Sequence, residues 1–350
     1  MRKVLLLVVP AGVALLLLGA RAASHGQDQA AGSAAAPGEW QRIEPGGQTR
    51  CARGGRYAFW LRKGDPKKLL VFFQGGGGCF DVTTCRPGSP WFDDRVDAFD
   101  DPATTAGGIL TLENPENPFR DYSIVFIPSC TGDVHTGTRV VKYGPYRVHQ
   151  MGYVNARAAL ARAFREFPSP EVVFVTGCSA GSVGSAFHAD AIIRRYRNAR
   201  VTQVGDSLAF VFHRPVSLAA WGTHTRFPSW FRPSHPRGRW TMTEFLTALA
   251  KQHPQRTFAR FNHVRDGVQT QFYVAVGGKP RDFSPRLLAA ERTLKRLPNY
   301  RSYLACGSEH CSFDRDTFYS TTTAGTRLRD WAADLAAGRD VECPACRNSG

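Results

Sequence analysis

The pentapeptide Gly177-Cys178-Ser179-Ala180-Gly181 fits the G-x-S-x-G pattern, in which a serine occupies a sharp turn between a strand and a helix. Small residues are needed beside that serine because larger side chains would clash with the strand and the helix. An apolar stretch, residues 171–176, precedes the pentapeptide, and residues 182–196 repeat apolar residues at helical spacing. The pattern predicts that Ser179 is a nucleophile for acyl transfer. The alternatives are a glycine-rich turn with a capping serine and a Cys178 nucleophile.

A run of four glycines, residues 75–78, directly follows another apolar stretch, residues 67–74. Glycine amides can point freely into a cavity, where they stabilise the oxyanion that forms when an ester carbonyl is attacked. The amide after the nucleophile, here that of Ala180, supplies a further donor in α/β-hydrolases. A phosphate-binding loop is the alternative, but the run lacks the Gly-Lys-Ser/Thr ending of that motif. We therefore expect an oxyanion hole and no cofactor.

A serine nucleophile of this kind needs an acid and a histidine base, in that order along the chain. His310 lies in a short loop, residues 306–311, just past a predicted strand, and is the candidate base. A surface histidine is the alternative. Asp206 and Asp266 each follow a predicted strand. Asp266 is preferred because it lies one strand before His310, although an aspartate at a strand end often only caps the next turn.

The elements that must position these residues alternate along the chain between strand and helix patterns. Strands are predicted at residues 67–74, 122–128, 171–176, 200–204, 256–264 and 300–305. Helices are predicted at residues 155–167, 182–196, 284–297 and 328–337. This alternation is typical of an α/β protein with a mostly parallel sheet and helices on both faces. We expect one such domain, from residue 40 to residue 346.

The N-terminal 22 residues have the pattern of a signal peptide: a basic start, an apolar run at residues 4–18, and Ala20-Arg21-Ala22 as the cleavage site. An uncleaved membrane anchor is the alternative. Residues 23–39 are predicted as a low-complexity linker and residues 347–350 as a tail. We expect a secreted or cell-envelope protein without membrane contact after cleavage.

The 350 residues carry a formal charge of +16, and 43% of them are hydrophobic. That apolar fraction is enough for a sizeable core and argues against a disordered chain. No block of five or six basic residues occurs, so the charge does not indicate a specific nucleic-acid partner.

All nine cysteines follow residue 22, and export to an oxidising compartment favours disulfides. Two pairs at short spacing are predicted to close local loops: Cys79 with Cys85, and Cys306 with Cys311. The Cys-x-x-Cys at residues 343–346 could pair internally or reach back to the 306–311 loop. Nine is odd, and Cys178 is predicted to be unpaired because it lies inside the turn. A zinc site needs four ligands, and one Cys-x-x-Cys does not supply them, so no metal is expected.

Several separate segments, in order, resemble the pectin acetylesterase family, which includes plant enzymes, bacterial relatives and, more distantly, the animal carboxylesterase Notum. They are residues 68–85, 126–137, 149–155, 177–185, 266–269 and 307–311. The resemblance implies an α/β-hydrolase-like fold and serine esterase chemistry. By motif position it implies the nucleophile Ser179, the acid Asp266, the base His310 and the oxyanion donors Gly76, Gly77 and Ala180. Two departures are Gly77-Gly78, where relatives often carry an alanine or bulky aromatic residues, and Cys311, where many bacterial relatives have threonine.

The resemblance implies a substrate with O-acetyl groups on a polysaccharide, and a basic protein would attract a uronate polymer. The aromatic segment 221–240 could form one wall of a cleft, with Trp230 and Trp240 stacking on sugar rings. Alternatively, it is an irregular connection whose aromatic residues fill a satellite core. Two other functions stay open: a lipid-ester or thioester hydrolase with a deeper pocket, and a glycan-binding protein with a decayed site. Asp133 and His135 are interpreted as structural residues that hydrogen-bond a loop tethered by Cys130; the alternative is that they border the active site.

Overall fold

Continuous runs of β-branched and aromatic residues form the centre of an eight-stranded sheet in the computed structural model. The model describes residues 38–105, 107–213, 218–235 and 239–346, all within one unit, Ala35–Gly350. The predicted signal peptide, all but the last two residues of the predicted linker, and the predicted tail lie outside the described residues.

The sheet has the strand order β1-β2-β4-β3-β7-β8-β9-β10. Its strands are β1 (Trp40–Ile43), β2 (Phe59–Arg62), β3 (Asp65–Phe73), β4 (Tyr122–Ile127), β7 (Val172–Cys178), β8 (Arg200–Asp206), β9 (Thr257–His263) and β10 (Tyr300–Ala305). Six neighbouring strands of the sheet, β4-β3-β7-β8-β9-β10, pair in parallel, whereas β1 and β2 form an antiparallel edge. Two hairpins lie outside this sheet: β5 (Arg139–Tyr143) with β6 (Tyr146–Gln150), and β11 (Thr322–Thr323) with β12 (Thr326–Arg327).

Helices lie between the parallel strands and after the last of them, β10. They are α1 (Pro102–Thr105), α2 (Gly152–Glu166), α3 (Ala180–Arg195), α4 (Met242–Gln252), α5 (Gly267–Ala275), α6 (Phe283–Leu294), α7 (Thr317–Ser320) and α8 (Leu328–Ala336). Within the described ranges, no helix is both long enough and apolar enough to cross a bilayer. The predicted α/β class with a mostly parallel sheet is confirmed.

The central strands are buried on both faces, which explains their unbroken apolar sequences. On β3, Leu69, Val71 and Phe73 belong to one buried cluster, and Leu70 and Phe72 belong to the other. Successive side chains of a strand point to opposite faces, so the two clusters are the two sides of the sheet. The sheet is therefore a rigid platform whose strand ends can hold catalytic residues.

Four disulfides join the described cysteines. They are Cys51–Cys130, Cys79–Cys85, Cys178–Cys311 and Cys306–Cys346. The Cys79–Cys85 prediction is confirmed, and Cys346 reaches back to the 306–311 loop, which is one of the two alternatives. Two predictions are wrong: Cys306 does not pair with Cys311, and Cys178 is not the free thiol, which is Cys343. Sequence spacing could not show that the loop after β10 returns over the end of β7.

Candidate active site

Ser179 lies at the turn between β7 and α3, in a backbone conformation that residues other than glycine rarely adopt. Its φ is 55° and its ψ is −118°, and its N–H donates to the Asp206 carbonyl oxygen at 2.9 Å. A Cβ atom on Gly181 would overlap the carbonyl oxygen of Phe73, and one on Gly177 would crowd the same oxygen. The glycines of the pentapeptide are thus required by close packing, and the turn has the strained form of a nucleophile elbow.

His310 is held by Asp266. The Nδ1 atom of His310 lies 2.9 Å and 3.0 Å from the two carboxylate oxygens of Asp266. Asp266 is fully buried and also accepts hydrogen bonds from the backbone and side-chain amides of Gln269, at 2.8 and 2.9 Å. The carboxylate therefore caps α5 and orients the imidazole at once. With Nδ1 donating to Asp266, the second ring nitrogen, Nε2, is available as a base.

A cavity of about 430 Å³ is lined by both Ser179 and His310. Most of the remaining lining is apolar. Its aromatic and aliphatic residues are Phe80, Val134, Val183, Phe210, Val211, Phe212, Leu218, Trp221, Phe272, Tyr273, Val276 and Phe283. The fold thus brings the predicted nucleophile and the predicted base to one apolar cavity, although 131 residues separate them in the chain.

Two of the three predicted oxyanion donors line this cavity. Gly77 and Ala180 are among its lining residues, as is Gly78. Among the described residues, no acceptor is bonded to the N–H of Gly77 or Ala180, whereas that of Gly78 donates to the Trp91 carbonyl at 3.0 Å. Ala180 is the first residue of α3, so its amide is one of the free donors at a helix N-terminus. Gly76 lies next to Gly77 but does not line the cavity.

The loop containing Asp133 and His135 is hydrogen-bonded to the start of the glycine run. His135 Nε2 donates to the Gln74 carbonyl oxygen at 2.9 Å, directly before that run. Asp133 accepts hydrogen bonds from Gly152 N–H and from the Thr131 hydroxyl, both at 2.7 Å. Burial raises the pKa of Asp133 to about 6 and lowers the pKa of His135 to about 4. These contacts agree with the structural interpretation of the two residues.

The loop of His310 is held to the Ser179 turn by contacts that the sequence analysis did not predict. The Cys178–Cys311 disulfide joins the residue before Ser179 to the residue after His310. The Ser207 hydroxyl accepts from Cys311 N–H at 2.9 Å. The Asp206 carboxylate accepts from the next two amides of the loop. The signal available in the sequence was the pair of cysteines, each adjacent to a predicted catalytic residue.

Trp230 and Trp240 do not line the cavity. Trp240 is 1% exposed and packs against Phe231 and Phe245 in the core. Trp230 is partly buried against the same cluster, and its indole N–H donates to Asp190 Oδ1 at 3.0 Å. Trp240 therefore fills the core and Trp230 packs on its edge, so neither ring lies in the cavity that Ser179 and His310 line.

Two groups of potential metal ligands occur in the described part of the chain, and both include Cys311. The Cys311 sulfur is bonded to Cys178, so it cannot act as a thiolate ligand. The remaining members of each group are too few for a zinc site, which uses four ligands or three with an open position.

A parallel sheet with a serine at a strained strand-to-helix turn, and an Asp–His pair at the ends of later strands, defines the α/β-hydrolase class. The pectinacetylesterase family profile matches residues 44–227, which is more than half of the 350 residues. The chain belongs to the pectinacetylesterase family, and it is therefore a member of an esterase family.

Curated relatives agree with this assignment over part of their length. The palmitoleoyl-protein carboxylesterase Notum of Drosophila melanogaster is 33% identical over 187 residues, which are 49% of this chain and 27% of that protein. The Homo sapiens protein of the same name is 27% identical over 146 residues, 41% of this chain and 29% of the relative. The chain thus matches less than a third of the length of these relatives.

Solved structures extend the similarity to the whole fold. A 1.9 Å crystal structure of the Wnt deacylase Notum from Drosophila superimposes with a TM-score of 0.64 at 20% identity. The superposition covers 88% of this chain and 96% of that one. A second crystal form gives a TM-score of 0.61 at 21% identity. At this identity the likeness concerns the fold alone, and it supports the predicted α/β-hydrolase-like architecture.

Proposed function

We propose that this protein is a secreted serine carboxylic ester hydrolase with Ser179 as nucleophile, His310 as base and Asp266 as acid. The observation that carries the proposal is that Ser179 and an Asp-bound histidine line one cavity. The four disulfides and the predicted signal peptide support secretion. The family assignment supports ester hydrolysis.

In the proposed reaction, His310 Nε2 accepts the proton of the Ser179 hydroxyl as the oxygen attacks the ester carbonyl. The Asp266 carboxylate holds Nδ1–H and stabilises the imidazolium. The amides of Gly77 and Ala180 donate to the oxyanion, and Gly76 precedes Gly77 in the loop. The protonated His310 then donates its proton to the leaving oxygen, and the alcohol departs. Water activated by the same histidine hydrolyses the acyl-serine.

The cavity favours an ester with an apolar acyl chain as the substrate. Its volume of about 430 Å³ falls in the range of small-molecule sites, and twelve aromatic or aliphatic residues line it. An acetyl group would leave most of this apolar surface without contact. The names of the relatives, a palmitoleoyl-protein carboxylesterase and a Wnt deacylase, are in line with a long acyl group.

Removal of O-acetyl groups from a polysaccharide is the second candidate, because the matching family is that of the pectinacetylesterases. A basic protein, with its formal charge of +16, would attract an acidic polymer such as pectin. The two candidates share the triad and differ in what occupies the apolar cavity.

A fluorophosphonate probe and a series of p-nitrophenyl esters test both statements. The wild type should react with the probe, and Ser179→Ala should not. Ser185→Ala, on the same helix but outside the cavity lining, should react like the wild type. Activity that rises from acetate to octanoate supports an acyl-chain site. A preference for acetate, with acetate release from acetylated pectin, supports the polysaccharide candidate instead. An unreactive wild type contradicts serine catalysis.

A further inference from the structure

Asp206 forms hydrogen bonds with both the Ser179 turn and the loop that follows His310. It ends β8, in register with Cys178 on β7, and its carbonyl oxygen accepts from Ser179 N–H at 2.9 Å. Its Oδ2 atom accepts from Ser312 N–H at 2.8 Å and from Phe313 N–H at 2.7 Å. One fully buried residue therefore binds the nucleophile turn through its backbone and the loop after His310 through its side chain.

A second carboxyl group, that of Asp314, lies close to the Asp206 carboxylate. Asp206 Oδ1 and Asp314 Oδ1 are both inaccessible and without a hydrogen-bond partner, and the two carboxylates approach within 4.8 Å. The Asp314 side chain as a whole is 25% exposed, and its Oδ1 atom lies 3.9 Å from Arg315 Nε. Burial and the Asp314 charge raise the pKa of Asp206 to about 7, and burial also raises the pKa of Asp314. The charged groups that oppose this rise are His310, for both carboxyls, and Arg315, beside Asp314.

Two like charges at this separation, one of them fully buried, are costly, and such pairs retain one proton between them. A protonated carboxyl still has an oxygen that can accept from the two loop amides. The pair can therefore hold the loop while it avoids a second buried charge.

We propose that Asp206 is a positioning residue, which ties the Ser179 turn to the His310 loop and shares one proton with Asp314. The proposal rests on the proposed esterase function for its kinetic part. It assigns to Asp206, the alternative acid of the sequence analysis, a role that acts through His310 and not on the substrate.

The test compares Asp206→Ala with Asp206→Asn. Alanine removes the acceptor of two loop amides, so kcat should fall about 10²-fold with little change in KM, as expected for a small misplacement of a catalytic group. Asparagine keeps an acceptor for the two amides and can donate to Asp314, so it should restore most of kcat. Hydrogen–deuterium exchange at residues 306–314 should be faster in Asp206→Ala and unchanged in Asp206→Asn.

Asp190→Ala is the matched control. Asp190 is also a buried acceptor, bonded to Trp230 and His253, and does not line the cavity. It should lower stability but leave kcat and the exchange at residues 306–314 unchanged. The positioning role is refuted when Asp206→Ala keeps wild-type kcat and exchange, or when asparagine is as damaging as alanine. An inactive wild type counts against the esterase function, while the exchange comparison still decides on positioning.

The pH dependence of stability tests the shared proton, and this measurement does not require Asp206→Ala to fold. In the folded state the pKa of Asp206 is raised from its ordinary value of 3.8 to about 7. The folded protein therefore binds this proton more tightly than the unfolded chain does. The resulting stabilisation is complete below pH 4 and is lost as the pH rises towards 7. Wild-type stability should therefore decline over this range relative to Asp206→Asn, and the decline should be smaller in Asp314→Asn. Parallel stability curves for wild type and Asp206→Asn would overturn this part.

Discussion

Cys178 and Cys311 are cross-linked, with their Cα atoms 5.6 Å apart, and each adjoins a residue of the candidate triad. Cys178 immediately precedes Ser179, and Cys311 immediately follows His310. The backbones of the proposed nucleophile and base are thus joined through a single covalent bond between their neighbours. This bond acts in parallel with the hydrogen bonds of Asp206, and neither contact depends on substrate.

Replacement of Cys178 and Cys311 together by serine should lower kcat at a temperature where the protein stays folded. The loop of His310 would then be held by hydrogen bonds alone, and a displacement of about 1 Å costs on the order of 10²-fold in rate. Stability should fall by about 2–5 kcal/mol. Steady-state kinetics and denaturant unfolding check the two effects.

Cys51 and Cys130 provide the control for this double variant. Their disulfide spans 79 residues, is equally buried and adjoins no candidate catalytic residue. Its replacement by serines should reduce stability without reducing kcat in the folded protein. Equal loss of kcat in both double variants would show that the 178–311 bond has no special role in catalysis.

Asp266→Asn should reduce kcat by about 10⁴-fold, because an amide in this position favours the wrong tautomer of the histidine. Asp266 accepts from His310 Nδ1 at 2.9 Å in the structure, so the substitution acts directly on ring protonation. Asp316→Asn, at an exposed position just before α7, should behave like the wild type. Near-normal kcat in Asp266→Asn would point to another acid.

Val276→Phe should shift the preferred acyl chain towards shorter lengths. Val276 lines the cavity at the end of α5, and a phenyl ring there removes apolar volume. Val274→Phe is a matched control, since Val274 lies two residues away, is 41% exposed and does not line the cavity. Rates with acetate, butyrate and octanoate esters give the comparison. An unchanged chain-length profile in Val276→Phe would mean that the acyl group lies elsewhere.

The sequence was most informative where the local pattern itself determines the structure. The buried strands around β3 and β7 have unbroken apolar runs because both faces are covered, and their positions were predicted to within a few residues. The predicted strand at residues 300–305 coincides with β10. The elbow was predictable because glycines at 177 and 181 are required by the approach of Phe73.

Contacts between distant segments could not be predicted in this way. The pairing of Cys178 with Cys311 spans 133 residues, and no local pattern indicates which loop crosses the end of β7. Asp206 shows the same limit, because its two roles depend on Ser179 on one side and residues 312–313 on the other. The aromatic segment 221–240 was ambiguous for a related reason, since composition does not distinguish a cleft wall from a core.

His188 provides a prediction about acid stability. Its ring is buried on α3, stacked on Phe73 and Tyr153, and Nε2 donates to the His135 carbonyl oxygen at 2.9 Å. Burial lowers the pKa of His188 to about 3, against an ordinary value of 6.5. Between about pH 6.5 and pH 3, His188 is protonated in the unfolded chain and neutral in the folded protein. The free energy of unfolding should therefore fall as the pH falls through this range.

His188→Phe keeps the ring stacking and removes the titration. It should cost about 1–3 kcal/mol at neutral pH, because the His135 carbonyl loses its donor. Its stability should nevertheless decline less steeply below pH 6.5 than that of the wild type, with the remaining slope due in part to buried His135. Urea unfolding at a series of pH values measures both effects, with the exposed His224 replaced by glutamine as the control. Identical slopes in wild type and His188→Phe would show that the buried ring does not oppose protonation.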